Sequence, residues 1–244
     1  MNVAIVVAAG KGTRLGGDRP KQFLELDGVP VIIHTLRQFE RSREIDEIVV
    51  VLPAEETDAF LSVAKEFGLR KPLRAVAGGA TRAQSVQRGL TAAGEAEIVA
   101  VHDGVRPFVI AAEIDQVVSA ARRTGAAILV APVADTIKEL KDDRVVRTLP
   151  RSQLRRALTP QCFRFDILKR ACDQLARVEA EGVEVTDDSL LVERLGVEIV
   201  AVEGSARNIK ITREEDLVLG EALLKSIVSG RLLGLLCEKG SWLS

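Results

Sequence analysis

Short, wholly apolar runs alternate with longer amphipathic stretches through most of this chain, and that rhythm leaves few folds open. Val3–Ala8, Glu47–Leu52, Leu73–Val76, Ile98–Val101 and Ala126–Ala131 are short and mostly apolar. Each reads as a strand, and Glu47–Leu52 as a buried one. Between them, residues 55–67 carry Phe60, Leu61, Ala64 and Phe67 at helical spacing. Residues 81–93 carry Ala83, Val86, Leu90 and Ala93 three and four apart, and 111–123 read as another helix. Repeated strand–helix–strand order predicts an α/β fold: a Rossmann-like, mostly parallel sheet with helices on both faces. The 244 residues, 47% of them hydrophobic, suffice for a sizeable core in one domain.

The rhythm breaks between about Pro132 and Pro160. Thr136–Leu140 and Val145–Leu149 alternate apolar and polar residues around Lys141-Asp142-Asp143-Arg144, the pattern of a β-hairpin. A lone hairpin has too little core to stand free in water. The segment of about 133–155 is therefore expected to be an inserted arm that packs on another part of the protein or on a second subunit. Helices at 165–180 and near 187–195, a strand at Val197–Val202 and a last helix from Arg213 to about Ser229 complete a domain spanning 1–230. Residues 231–244 are read as a tail, for which the sequence suggests no function.

A formal net charge of −1 argues against nonspecific binding to nucleic acid or to membrane surfaces. Residues 2–9 are apolar but lack a basic n-region and a cleavage site. No run reaches the length of a membrane span. Cys162, Cys172 and Cys237 have no metal-type spacing and read as packed apolar residues of a reduced compartment. The expectation is a soluble, cytoplasmic protein.

In open parallel sheets, ligands bind beyond the carboxyl ends of the strands. Three such ends carry chemistry here. The first strand runs into Ala9-Gly10-Lys11-Gly12-Thr13-Arg14, followed by Pro20-Lys21-Gln22-Phe23. Glycines let backbone N–H groups approach phosphate oxygens, and Lys11, Arg14 and Lys21 supply charge for a polyphosphate. No Gly-Lys-Ser/Thr closes this loop, so it is not a P-loop. Gly10-x-Gly12-x-x-x-Gly16 also resembles a dinucleotide-binding turn, although Pro20 would interrupt the helix that should follow. The second end carries Gly78-Gly79 and then Arg82 and Ser85, where a helix N-terminus favours an anion or a base carbonyl. The third carries His102-Asp103-Gly104, where Asp103 reads as a Mg²⁺ ligand or as a cap. His102 reads as a packed neighbour or as a base. Three loops from adjacent strands are expected to meet in one crevice. Further along, Arg151, Thr159, Thr186-Asp187-Asp188 and Asn208-Ile209-Lys210 are polar islands. Thr186 alone reads as a helix N-cap, and Lys210 as an edge-strand lysine.

There is no nucleophile elbow and no paired-histidine metal motif, and the chain has two histidines in all. One reaction class needs neither. A phosphate monoester, with a second pKa of about 6, is already ionised at neutral pH. It can attack a nucleotide α-phosphorus without a general base, provided that cations and Mg²⁺ neutralise the charge.

Ala8-Ala9-Gly10-x-Gly12-x-Arg14 with Pro20-Lys21-Gln22-Phe23 resembles the signature of sugar and polyol nucleotidyltransferases. Further motifs follow: Gly78-Gly79-x-x-Arg82-x-x-Ser85, His102-Asp103-x-x-Arg106-Pro107, Asp135-Thr136-Ile137-Lys138, Leu158-Thr159-Pro160-Gln161, Thr186-Asp187-Asp188 and Asn208-Ile209-Lys210-Ile211-Thr212. The ordered set over about 1–225 resembles the 2-C-methyl-D-erythritol 4-phosphate cytidylyltransferase family. The resemblance implies CTP and 2-C-methyl-D-erythritol 4-phosphate as substrates and Mg²⁺ or another divalent cation as cofactor. Arg14 and Lys21 would stabilise charge at the α-phosphate, and Lys210 would hold the reacting phosphates. Ala8, Ala9, Gly10, Lys11, Gly12 and Thr13 would bind the nucleotide, with Gly79, Arg82 and Ser85 around the cytosine. Asp103 would ligate the metal. Arg106, Thr136, Arg151 and Thr186 would position the second substrate. The arm would clasp a partner subunit in a homodimer, bringing Arg106 and Thr136 to the neighbour's substrate phosphate. Two positions depart from the pattern. Gly104-Val105 stands where many members carry two alanines, which is expected to be neutral. Ala80 stands where some carry an acidic residue. A ribitol 5-phosphate cytidylyltransferase shares most of these motifs. An NADP-binding oxidoreductase or a non-catalytic nucleotide sensor is the reading of another class.

Overall fold

The computed structural model describes residues 1–10 and 20–239, with 228–239 as backbone alone. The chain opens with β1 (Asn2–Val7). A small ribbon of β2 (Glu25–Leu26) and β3 (Val29–Pro30) leads into α1 (Val31–Arg41). Next come β4 (Glu47–Leu52), α2 (Thr57–Glu66), β5 (Leu73–Ala77), α3 (Arg82–Ala93), β6 (Ile98–Asp103), α4 (Ala111–Thr124) and β7 (Ala126–Pro132). The arm is β8 (Lys138–Lys141) and β9 (Arg144–Thr148). After it run β10 (Arg155–Arg164), α5 (Phe165–Asp173), α6 (Leu175–Ala180), α7 (Asp188–Glu193), β11 (Val200–Glu203) and α8 (Glu214–Lys239).

Seven strands form the central sheet in the order β11-β7-β10-β6-β1-β4-β5. All neighbours pair in parallel except β10, which runs antiparallel between β6 and β7. Side chains of β1 alternate between two cores. Ala4 and Val6 pack with α1, α2 and α4 on one face, and Val3 and Ile5 with α3, α5, α6 and α7 on the other. Two apolar faces on one strand explain why it reads as an unbroken apolar run. The chain lays β4 and β5 on one side of β1 and then returns to the other side with β6. The crevice therefore opens at the ends of β1 and β6, where Val7 pairs with Asp103.

Several sequence expectations are corrected. β10 has no counterpart in the sequence reading, because Pro160 interrupts its apolar pattern. The strand accommodates that proline where its register with β7 shifts, between Ala157 and Gln161, and the Thr159–Pro160 bond is cis. The helix expected at 165–180 is two helices meeting at Gln174. The cap of α7 is Asp187, whose carboxylate accepts from Leu190 N at 3.1 Å, and not Thr186. The last helix continues to Lys239, so residues 231–239 extend α8 instead of leaving it as a tail. The arm is a hairpin as expected, its turn made by Asp142 and Asp143 with φ of 47° and 60°, the left-handed pair of a type I′ turn. Among the described residues, Cys162 and Cys172 are buried free thiols. No helix of the described residues is long and apolar enough to cross a membrane.

Candidate active site

The loops after β1, β5 and β6 do meet, although β4 lies between β1 and β5. Close packing at two glycines makes this possible. A Cβ on Gly78 would lie 2.2 Å from the Cβ of Ala9, and one on Gly104 would lie 2.9 Å from that of Ala8. In this chain an alanine at 104 would force a local shift, so the glycine there is not a neutral exchange. Backbone bonds seal the junction: Gly104 N–H donates to Val7 O and Ala8 N–H to Val51 O, both at 2.8 Å.

A cavity of about 260 Å³ lies over this junction, with Ala8, Ala9, Gly10 and Lys21 on one side and Gly79, Arg82 and Ser85 on the other. Thr81 caps α3, accepting from Gln84 N–H at 3.1 Å. The Ser85 hydroxyl donates to Thr81 O at 2.9 Å and accepts from Gly79 N–H at 3.0 Å. Ser85 thus shapes the Gly79 turn and keeps one lone pair for a ligand. Lys11, Gly12 and Thr13, expected to bind the nucleotide, and Arg14, expected to stabilise charge at the α-phosphate, lie outside the described residues.

Asp103 ends β6 beneath this cavity. Its Oδ1 accepts from Arg82 Nε at 3.0 Å, and its Oδ2 from Arg106 Nε at 3.2 Å and Lys210 Nζ at 3.0 Å. Burial alone would raise its pKa. The charges of Arg82, Lys210 and Arg106 outweigh that and hold the carboxyl well below the usual carboxylate range. Arg82 also reaches Asp188 Oδ2 through Nη2 at 2.8 Å. Burial pushes the Asp188 carboxyl up, with Arg82 opposing. Three cations thus face two carboxylates, which favours an anionic ligand here.

A second cavity, of about 200 Å³, lies on the other side of this cluster, lined by Arg106, Thr159, Gln161 and Thr186. Arg82, Asp103 and Lys210 line both cavities. Lys210 is not in a strand. Its segment is tied down by Ile211 N–H donating to Val105 O at 2.8 Å. Arg106 donates to Asn208 O at 3.0 Å, and Asn208 Nδ2 to Thr159 O at 2.9 Å.

His102 is fully buried with both ring nitrogens engaged, as a packed neighbour would be. Its Nε2 faces Arg106 O at 3.2 Å and so carries the proton. Its Nδ1 lies 2.9 Å from Thr159 Oγ1, which donates to it and accepts from Asp103 N–H at 3.2 Å. Burial pushes its pKa down to about 3. The sequence reading assigned no role to Gln161 and took Asp188 only as a first-turn acid of the helix, where it does lie. Gln161 Oε1 accepts from the N–H groups of Asp188 and Ser189, and its Nε2 donates to Asp187 at 2.8 Å. Each stood in a quoted motif, but only β10 brings Gln161 to α7. Thr136 and Arg151 are exposed and line neither cavity. Arg151 donates to Ala134 O at 2.8 Å at the base of the arm.

Residues 2–226 match the sequence model of the 2-C-methyl-D-erythritol 4-phosphate cytidylyltransferases. The chain belongs to this family. A cytidylyltransferase of that name from Bacillus licheniformis is 42% identical over 227 residues, covering 93% of this chain and 97% of its own. One from Geotalea uraniireducens is 44% identical, covering 93% and 98%. Among solved structures, the Anaerococcus prevotii 4-diphosphocytidyl-2C-methyl-D-erythritol synthase superposes with a TM-score of 0.80 at 32% identity, covering 92% of this chain and 98% of that one. The Thermus thermophilus cytidylyltransferase gives 0.71 at 36%, covering 92% and 100%. The family is one of nucleotidyltransferases, which sets aside the dinucleotide-dependent oxidoreductase reading of the first glycine loop.

Proposed function

We propose that this protein transfers the cytidylyl group of CTP to 2-C-methyl-D-erythritol 4-phosphate and releases pyrophosphate, in the non-mevalonate route to isoprenoids. One observation carries the mechanism: Arg82, Asp103 and Lys210 form a wall common to two cavities. A nucleotide in the larger cavity and a polyol phosphate in the smaller would meet across that wall. The attacking phosphate is ionised above its second pKa of about 6, so no base is needed, and none is offered by the sealed His102. Lys210 and Arg82 neutralise charge shared by the two phosphates, and Lys21 and Arg14 do so at the α-phosphate. The backbone of Ala8–Gly10, continuing to Thr13, and the Gly79–Ser85 turn hold the nucleotide. Arg106 and Thr186 hold the second substrate.

A divalent cation fits this site as a one-carboxylate ligand set. Asp103 is held ionised by Arg82, Lys210 and Arg106, and its three donors among the described residues occupy three of about four lone-pair directions. Among the described residues no group of three or more His, Cys, Asp or Glu could cage a metal. Mg²⁺ typically takes one or two carboxylates and completes its shell with phosphate and water. When bound, it would offset charge on the nucleotide phosphates.

The arm belongs to a dimer in this reading. Leu140, Val145 and Val146 are 60%, 62% and 56% exposed on a ribbon with no core of its own. A second copy would cover them and give Thr136 and Arg151 a place beside a substrate phosphate. The reaction belongs in the cytoplasm, where CTP is made.

The test is pyrophosphate release from CTP and Mg²⁺, run with 2-C-methyl-D-erythritol 4-phosphate and separately with ribitol 5-phosphate. Release with the first alone is expected. Preference for ribitol phosphate would move the substrate but keep the chemistry. Silence with both would leave a nucleotide-binding protein without transfer activity.

A further inference from the structure

Gln22 is 1% exposed, yet neither its Nε2 nor its Oε1 has a hydrogen-bond partner among the described residues. Two other buried side chains there have an unpaired oxygen, Asn2 and Asn208, but each uses its Nδ2: Asn2 donates to Glu44 O, and Asn208 to Thr159 O. Gln22 alone leaves both ends of a carboxamide unused. A buried amide in that state destabilises the fold, whereas an apolar side chain of similar size would fill the space at no such cost. The backbone holds it there firmly. Gln22 is the middle residue of a 3₁₀ turn, Lys21–Phe23, closed by Phe23 N–H donating to Pro20 O at 2.9 Å and anchored by Phe23 against Phe60. Gln22 is among the residues that line the larger cavity, as are Lys21 and Gly10.

We propose that Gln22 is a nucleotide-contacting residue, whose carboxamide N–H donates to a phosphoryl oxygen of the bound triphosphate. The acceptor end then takes a hydroxyl hydrogen from the sugar or from a bound water. The unpaired amide of the free protein is in this view a binding group waiting for its partner. Donors fixed in advance lose little freedom on binding, and a hydrogen bond to a charged oxygen is among the stronger kinds. The proposal rests on the CTP-binding reading above.

Gln22→Leu separates this role from a packing role. The melting temperature of the ligand-free variant is expected to rise by roughly 3 °C, since the unpaired amide is gone. The CTP concentration that gives half the ligand-induced rise in melting temperature is expected to increase about tenfold or more. If Gln22→Leu does not fold, Gln22→Met, unbranched and of equal length, is read in the same way. A variant titrated by CTP over the same range as the parent overturns the proposal, whichever way its own melting temperature moves. A parent protein that CTP does not shift at all overturns the functional reading and this proposal together.

Discussion

Asp103 holds three cations in place, and its charge sets what each can do. In Asp103→Asn the guanidinium groups of Arg82 and Arg106 and the ammonium of Lys210 lose their shared counter-charge. Turnover is expected to fall by roughly 10²-fold or more, and the Mg²⁺ titration to move to higher concentration. An unchanged metal titration would remove Asp103 from the cation site. His102 makes a different prediction. Its folded pKa of about 3 lies below its ordinary 6.5, so between those values the unfolded chain binds the extra proton and the folded protein does not. The stability that comes from the neutral imidazole is complete above pH 6.5 and is lost as pH falls toward 3. From pH 6.5 to 4.5 the loss amounts to about 2–3 kcal/mol. Asp188, whose pKa burial raises, acts in the opposite sense. Urea unfolding at both pH values should therefore show a flatter dependence for His102→Gln than for the parent. Equal slopes would mean that His102 protonates freely in the folded state.

The arm and β10 show how far elements were legible in advance. The arm was readable because alternating residues flank Asp142-Asp143, and those two aspartates take the left-handed angles that such a turn needs. Deleting 138–148 and closing the gap with a short glycine linker is expected to yield monomers with a raised KM for the polyol phosphate. An active dimer after deletion, seen by sedimentation, would rule the arm out as the interface. β10 was hidden for an opposite reason. Its residues Leu158–Phe163 are buried, but Pro160 reads locally as a strand breaker, and only the register shift against β7 shows how the sheet tolerates it. The α7 cap was off by one residue because Thr186 and Asp187 are both good caps. The pairings of Gln161 and Asp188 escaped notice because their partners lie 27 and 106 positions away in the chain. Helices, strands and cations are written in local pattern, whereas pairings across the fold are not.

At the scale of the molecule, the site depends on elements from both ends of the chain. Leu217, Leu223, Leu224 and Ile227 of α8 pack on Leu26, Val31, Phe108 and Ile211, next to Lys210. A chain ending after Ile227 keeps that cluster and should retain kcat/KM within roughly twofold and most of its melting temperature. A chain ending after Arg213 strips it and should lose activity and solubility together. Full activity in the shorter chain, measured by pyrophosphate release, would show that α8 plays no part in setting Lys210. The wall shared by two cavities has an evolutionary consequence of its own. Arg82, Asp103 and Lys210 line both cavities, so under the proposed function a change in any of them would be felt on both sides. A lineage drifting toward a different polyol or a different base can therefore change only the outer walls, at positions such as Ala80 and Thr186. The interior trio, common to the two cavities, is then the part that any new pair of substrates would have to share.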